Sequence, residues 1–355
     1  MKKHNFYAGP AILPKEVIEE AAASLHDFMG MGLSLLEISH RTKQFESVVA
    51  EVEQLVKELM AIGDDYTVLL LSGGASSQFF MIPMNILNEN ETACYINTGV
   101  WASGAIKEAR NFGNVQVLAS SEDDKFRHIP KNYEIPKEAV YLHITSNNTI
   151  YGSQYHSWPD SPIPLICDMS SDIFSRQLDF SKFSLIYAGA QKNMGAAGVT
   201  AVVIKKSLLN RAKRKFPTIL NYAVQMDKES MYNTPPVFPI YVTLLTLRWI
   251  KAQGLATLEA RNRKKAETLY AEIDRNTCFT APVNHEDRSW MNVVFTAKNP
   301  DHDADFLELC KQGACVGLAG HRSVGGFRAS LYNALEQESV DVLVEIMKEF
   351  EQKYA

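Results

Sequence analysis

The 355-residue chain carries only five cysteines: Cys94, Cys167, Cys278, Cys310 and Cys315. None forms a CxxC pair or has finger-like ligand spacing, which argues against a zinc or disulfide framework. Their odd number and scattered placement suit reduced thiols in a cytoplasmic protein. No stretch approaches the roughly 20 apolar residues needed to cross a bilayer. The opening MKKHNFYAGP puts Asn, Gly and Pro where a secretion signal needs an apolar run. The formal charge of −5 and the lack of a long Lys/Arg block argue against nucleic-acid binding. The one short basic cluster, Arg211-Ala-Lys-Arg-Lys215, is expected to be a solvated helix face. The G-x-G-x-x-G and Walker patterns are both missing, which lowers a nucleotide-binding or regulatory reading. A soluble globular protein remains, with an ordinary 46% hydrophobic and 22% charged residues.

Hydrophobic periodicity predicts helices at 16–24 and 44–60, the second with apolar positions at Val48, Val49, Val52, Leu55, Val56 and Leu59. Seven strands are expected at 66–71, 93–97, 114–118, 139–145, 164–168, 185–188 and 200–204, with helices or loops between them. This alternation points to an α/β fold with a mainly parallel sheet covered on both faces. Beyond about residue 250 the pattern changes to a charged helix (258–275), a strand (290–296), a helix (303–312), a Gly-rich segment and a terminal helix from Ser339. The expected division is a large unit over 16–254 and a smaller α+β unit over 255–355, joined by the N-terminal segment 1–15, with a hinge near Gly254.

Candidate chemistry lies just after the strands, where parallel sheets place their ligands. In Leu185-Ile-Tyr-Ala-Gly-Ala-Gln-Lys-Asn-Met-Gly-Ala-Ala-Gly198, small residues surround Lys192, which suits a lysine that forms an imine with an aldehyde. Read alone, it also suits a surface lysine in a Gly/Ala loop. Asp168 ends the strand Pro164-Leu-Ile-Cys-Asp168, 24 residues before Lys192. It can serve as the acid that keeps a pyridine nitrogen protonated, or merely cap a following helix. Ser72-Gly-Gly-Ala-Ser-Ser-Gln78 could cradle a phosphate with backbone N–H groups and a helix N-terminus, or be an ordinary turn. Asn147-Asn-Thr149 is similarly ambiguous, and Trp101 could stack on a flat ring or pack in the core. Two His-Arg pairs, His40-Arg41 and His321-Arg322, together with Arg328, suggest an anionic substrate, with surface ion pairs as the alternative. Taken together, these are the parts that a pyridoxal phosphate (PLP) enzyme needs.

On these residues the chain resembles the phosphoserine aminotransferase family. The resemblance runs through Asn5-Phe-Tyr-Ala-Gly-Pro10, Ser39-His-Arg41, Gly73-Gly-Ala-Ser76, Ala188-Gly-Ala-Gln-Lys-Asn193, Tyr232-Asn-Thr-Pro-Pro236 and Gly320-His-Arg-Ser-Val-Gly-Gly-Phe-Arg-Ala-Ser330. It implies a fold-type I PLP enzyme of class V, working as a cytoplasmic homodimer with active sites at the subunit interface. By motif, Lys192 would hold the cofactor, Asp168 would face the ring nitrogen, and Ala75, Ser76 and Gln191 would touch the phosphate. Trp101 would stack on the ring and Thr149 would bond the ring hydroxyl or a nearby group. Asn233 and Thr234 would reach the phosphate from the neighbouring subunit. Arg41 and Arg328 would hold substrate carboxylate, while His40, His321 and Arg322 would favour substrate phosphate. The implied reaction exchanges an amino group between glutamate and 3-phosphohydroxypyruvate in serine biosynthesis, with 4-phosphohydroxythreonine of pyridoxine biosynthesis left open as a substrate. Tyr7, Ala196 and Asp172 depart from the family pattern, and Asp172 adds a negative charge near the cofactor region. A desulfurase on the same scaffold would need a mobile cysteine, whereas Cys310 and Cys315 lie in or beside an expected apolar helix. An alanine–glyoxylate-type transaminase could also share the scaffold.

Overall fold

In the computed structural model, which describes residues 2–354, the chain begins with strand β1 (His4–Asn5), α1 (Lys15–Ser24), α2 (Lys43–Met60), β2 (Tyr66–Leu71) and α3 (Gly74–Ile86). It continues through β3 (Thr92–Asn97), α4 (Val100–Ala109), β4 (Asn114–Ser120), β5 (Leu142–Thr145), β6 (Leu165–Asp168), β7 (Leu185–Gly189) and β8 (Thr200–Lys205). After α5 (Tyr222–Asp227) and α6 (Val237–Gln253) come α7 (Leu255–Arg275), β9 (Phe279–Thr280), β10 (Asn292–Ala297), α8 (Asp303–Gln312), β11 (Cys315–Val316), β12 (Phe327–Ser330) and α9 (Gln337–Tyr354).

The seven-stranded sheet has the order β2-β8-β7-β6-β5-β3-β4. Its strands are parallel except β8, which runs antiparallel to both β2 and β7. Strands β2, β5, β6 and β7 are buried at every position, as expected of a sheet covered on both faces. One face packs against α1, α2 and α6, the other against α3, α4 and α5. Helix α2 is capped by the Thr42 hydroxyl, which accepts from the Phe45 amide, and stops at Ala61 in the left-handed region. It buries Phe45, Val48, Val49, Val52, Leu55, Val56 and Met60, and a fully buried side chain of this kind contributes about 1.5–3 kcal/mol.

Two topological features position the site. Thr200 pairs with both Leu71 and Gly189, so the ends of β2 and β7 share one sheet edge with the ends of β3, β5 and β6. The strand order also reverses between β3 and β5, opening a crevice at that edge. At the turn after β3, Gly99 has φ +152°, and a Cβ there would meet Asn148 Nδ2 at 1.8 Å. A glycine is what lets the two strand-end loops approach across the crevice.

The C-terminal part forms the antiparallel sheet β12-β10-β9 against α7, α8 and α9, around Phe279, Phe295, Phe306, Phe327 and Phe350. Phe6, fully buried, belongs to this core, and β1 pairs in parallel with β11.

One expectation needs correction. Residues 211–215 form no helix. Arg211 instead makes a bidentate pair with Glu91 and donates to the Ile86 carbonyl, while Arg214 donates to the carbonyls of Leu87 and Phe112. The open carbonyls at the end of α3 hold both guanidiniums, so these side chains are fixed rather than solvated. Between β6 and β7 the connection is a loop rather than a helix, one of the two forms expected. The 169–184 crossover is an irregular segment with one 3-10 turn, Phe180–Lys182. It buries Met169, Ile173, Phe174, Phe180 and Phe183 in the sheet core, which makes a covering helix unnecessary there.

Candidate active site

Helix α3 starts at Gly74 directly after β2, with Gly73 (φ +107°) as N-cap and no side-chain cap. Its first-turn amides therefore have no intrahelical acceptor and add the positive end of the helix dipole. Residues Gly74, Ala75 and Ser76 border a cavity of about 310 Å³, at the small end of the range for ligand pockets. The same cavity is lined by Trp101, Thr149, Asp168, Gln191, Lys192, His321 and Arg328.

Each wall has a local cause. Trp101, in the first turn of α4, donates its indole N–H to the Thr149 hydroxyl at 3.0 Å, tying the ends of β3 and β5 together. Gln191 folds back over Gly189, where a Cβ would lie 2.6 Å from Gln191 Oε1. Arg328 reaches from β12 and donates to the Thr149 carbonyl at 2.8 Å, and its Nε is buried without a partner. His321 turns Nδ1 to the Ser323 hydroxyl at 2.7 Å.

The two central groups have opposed electrostatics. Burial pushes the Lys192 ammonium down to about 8, against the opposing pull of Asp168. Burial raises the Asp168 carboxyl above its ordinary value, partly offset by hydrogen bonding from Ser170 and by the charge of Lys192. Asp168 Oδ1 accepts from the Ser170 amide at 2.9 Å, and the carboxylate is 5% exposed. Asp172, the unexpected acid, does not line the cavity. It is buried against Gln154 and Arg176, and Arg176 lies between the rings of Trp158 and Trp290.

These residues fit pyridoxal phosphate. The uncapped helix N-terminus suits the phosphate, and a buried carboxylate without an ion-pair partner among the described residues suits a ring-nitrogen cation. The low-pKa amine suits the aldehyde. By contrast, the Cys310 and Cys315 thiols are buried and pushed up, the latter to about 11, which removes the desulfurase reading's nucleophile.

The remaining expected residues are elsewhere. Arg41 and Arg322 are exposed, as are Asn233 and Thr234, and none of them borders this cavity; nor does His40, whose Nε2 is buried without a partner. Sequence reasoning left Asn147 ambiguous and gave no role to Ala8, Gly9, Phe79, Thr145, Ile150, Ser170 and Ser171, all in the cavity wall. The Asn5–Pro10 and Asn147–Thr149 strings were the available signals, but their small or neutral side chains name no chemistry.

Comparison with known proteins gives the family. Residues 3–343 match the family "Aminotransferase class-V". The chain is 56% identical to phosphoserine aminotransferase of Flavobacterium psychrophilum, covering 99% of this chain and 100% of that one. It is 54% identical to the Bacteroides thetaiotaomicron protein of that name, with 99% of each covered. Among solved structures, phosphoserine aminotransferase from Bacillus circulans subsp. alkalophilus aligns with TM-score 0.97 and 43% identity over 100% of this chain and 99% of that one. The PLP-bound enzyme from Trichomonas vaginalis aligns with TM-score 0.93 and 37% identity, covering 98% and 100%. The chain therefore belongs to the class-V aminotransferases, and its cofactor is pyridoxal phosphate. Within that class it falls among the phosphoserine aminotransferases.

Proposed function

We propose that the enzyme transfers the amino group between glutamate and 3-phosphohydroxypyruvate, reversibly giving 2-oxoglutarate and O-phosphoserine in serine biosynthesis. The observation that carries this reading is the convergence of Lys192, Asp168 and the α3 N-terminus on one cavity, with Arg328 at its rim. Bound there, pyridoxal phosphate supplies an aldehyde and an electron-withdrawing ring. Lys192 holds the cofactor and, once released, takes the proton from the substrate α-carbon. Burial, which pushes this amine down to about 8, favours its neutral form and so suits that role. Asp168 would keep the ring nitrogen protonated, Trp101, held by its bond to Thr149, would stack on the ring, and Thr149 would bond the ring hydroxyl or a nearby group.

Ala75, Ser76 and Gln191 bind the cofactor phosphate, and Asn233 and Thr234 of a second subunit complete it. The exposure of Asn233 and Thr234, away from their own chain's cavity, supports a homodimer with shared sites. Arg328 and Arg41 take the substrate carboxylate, while His40, His321 and Arg322 take its phosphate. The large unit is 16–254, and the small unit is 255–355 with 1–15. The latter division is supported by the packing of Phe6 in the C-terminal core. The enzyme is cytoplasmic; no described helix is long and apolar enough to cross a membrane.

The test is a half-reaction screen of the cofactor-loaded protein with phosphoserine and with serine, followed by visible absorbance. Conversion by phosphoserine and not by serine is expected, and equal conversion would refute phosphate recognition. Adding 4-phosphohydroxythreonine as a third arm decides whether the enzyme also serves pyridoxine biosynthesis.

A further inference from the structure

A set of buried polar side chains lies behind Lys192 and outside the cavity wall. Asn193, 3% exposed, accepts through Oδ1 from the Asn333 amide at 3.1 Å and donates through Nδ2 to the Ile173 carbonyl at 3.2 Å. The Asn333 side chain donates to the Phe174 carbonyl at 3.0 Å and accepts from Asn262 Nδ2 at 2.8 Å. Asn262, fully buried on α7, also donates to the Ser175 carbonyl at 2.9 Å. One turn further along α7, Lys265 is 1% exposed and donates to the carbonyls of Leu331, Tyr332 and Leu335 at 2.9, 2.8 and 3.0 Å.

Three chain segments are thereby fastened together. One follows Asp168, one contains Lys192, and one, 331–335, follows directly on the strand that carries Arg328. The first needs such fastening, because Phe174 sits at φ +54°, a left-handed conformation costly for a bulky residue. Buried amides and an ammonium are costly unless their bonds are made, so this cluster has one favoured arrangement.

We propose that Asn193 is a positioning residue for Lys192, with the 331–335 turn, clamped by Asn262 and Lys265, as its anchor. This rests on the transamination reading above. Asn193 does not touch the reacting atoms. It sets the backbone from which the amine is presented to the ring that Asp168 faces.

The test compares the cofactor-loaded parent with Asn193→Ala, Asn193→Asp and Asn262→Ala. Asn193→Ala is expected to lower kcat by ~10–100-fold, the scale of a small misplacement of a reacting group, and to leave KM for glutamate within about twofold. The pH midpoint of the loaded enzyme's visible absorbance should move with it, a change that lost stability alone does not produce. Asn193→Asp keeps the acceptor for the Asn333 amide but loses the donor to the Ile173 carbonyl, so its kcat should lie between those of Asn193→Ala and the parent. As a readout without turnover, cofactor-free proteins are treated with pyridoxal phosphate and borohydride. Peptide mapping should find Lys192 labelled about tenfold more slowly in Asn193→Ala. Parent-like kcat and labelling in Asn193→Ala, or an Asp variant no better than Ala, overturns the proposal. Where Asn193→Ala loses cooperative melting, Asn262→Ala decides. It should lower kcat and labelling by at least about threefold, and parent values would overturn the proposal. A parent inactive on phosphoserine would instead refute the reaction, while the labelling arm still tests the positioning.

Discussion

The two halves of the predicted machinery are built differently. The cofactor half is made by strand ends and helix starts of a rigid sheet, where Lys192, Asp168, Trp101 and Thr149 converge within one chain. Most of the residues assigned to the substrate and to a neighbouring subunit's cofactor phosphate lie at or near the surface. Arg41, Arg322, Asn233 and Thr234 are exposed and do not border this chain's cavity. The groups expected at the ring thus gather in one chain's cavity, whereas of those expected at the substrate only His321 and Arg328 border it.

Variants can break or sharpen this contrast. The largest effect is expected for Lys192→Ala, with turnover reduced by about 10⁴-fold or more through loss of the proton carrier. Normal steady-state activity in that variant would sink the assignment. Asp168→Ala should lower kcat on the order of 10²–10³-fold while leaving the protein folded, checked by single-turnover kinetics and circular dichroism. Next come the arginines. Arg328→Ala should raise KM for both glutamate and phosphoserine by about 10-fold or more, as loss of a charged hydrogen bond does. For the surface half, Arg322→Ala should raise KM for phosphoserine alone. Equal effects of the two variants on both substrates would erase the contrast.

The smallest effect concerns acid stability. Burial pushes the His143 imidazole from its ordinary 6.5 down to about 3, beneath the sheet beside Tyr187. The unfolded chain then binds a proton that the folded chain does not between those values, so this contribution to stability is lost as pH falls from 6.5 toward 3. His143→Phe should flatten that slope in urea titrations, and an unchanged slope would contradict it.

Most of the cofactor half was legible in the sequence. Lys192 and Asp168 follow apolar runs with small neighbours, so their place at a sheet edge comes from local pattern. The clamp behind Lys192 was not legible, because it joins Asn193 to Asn333 and Asn262 to Ser175 across 140 and 87 residues. No local periodicity marks a pairing that exists only after the chain has closed. The 211–215 cluster misled for the same reason: its charges look solvated until the end of α3 is beside them. Asp172 read only as an added negative charge near the cofactor region; its partner Arg176 lies four residues later.

The pairing of β1 with β11 bears on the order of assembly. His4 and Asn5 find their strand partners only at Cys315 and Val316, and the cavity wall at Ala8 and Gly9 is held between that pairing, the Tyr332 hydroxyl and the Gln191 carbonyl. On a ribosome the sheet can form while this wall is still loose. The binding cleft then gains its last side only after residues 315–332 have emerged, so cofactor retention should be a late event in biosynthesis rather than a seed for folding.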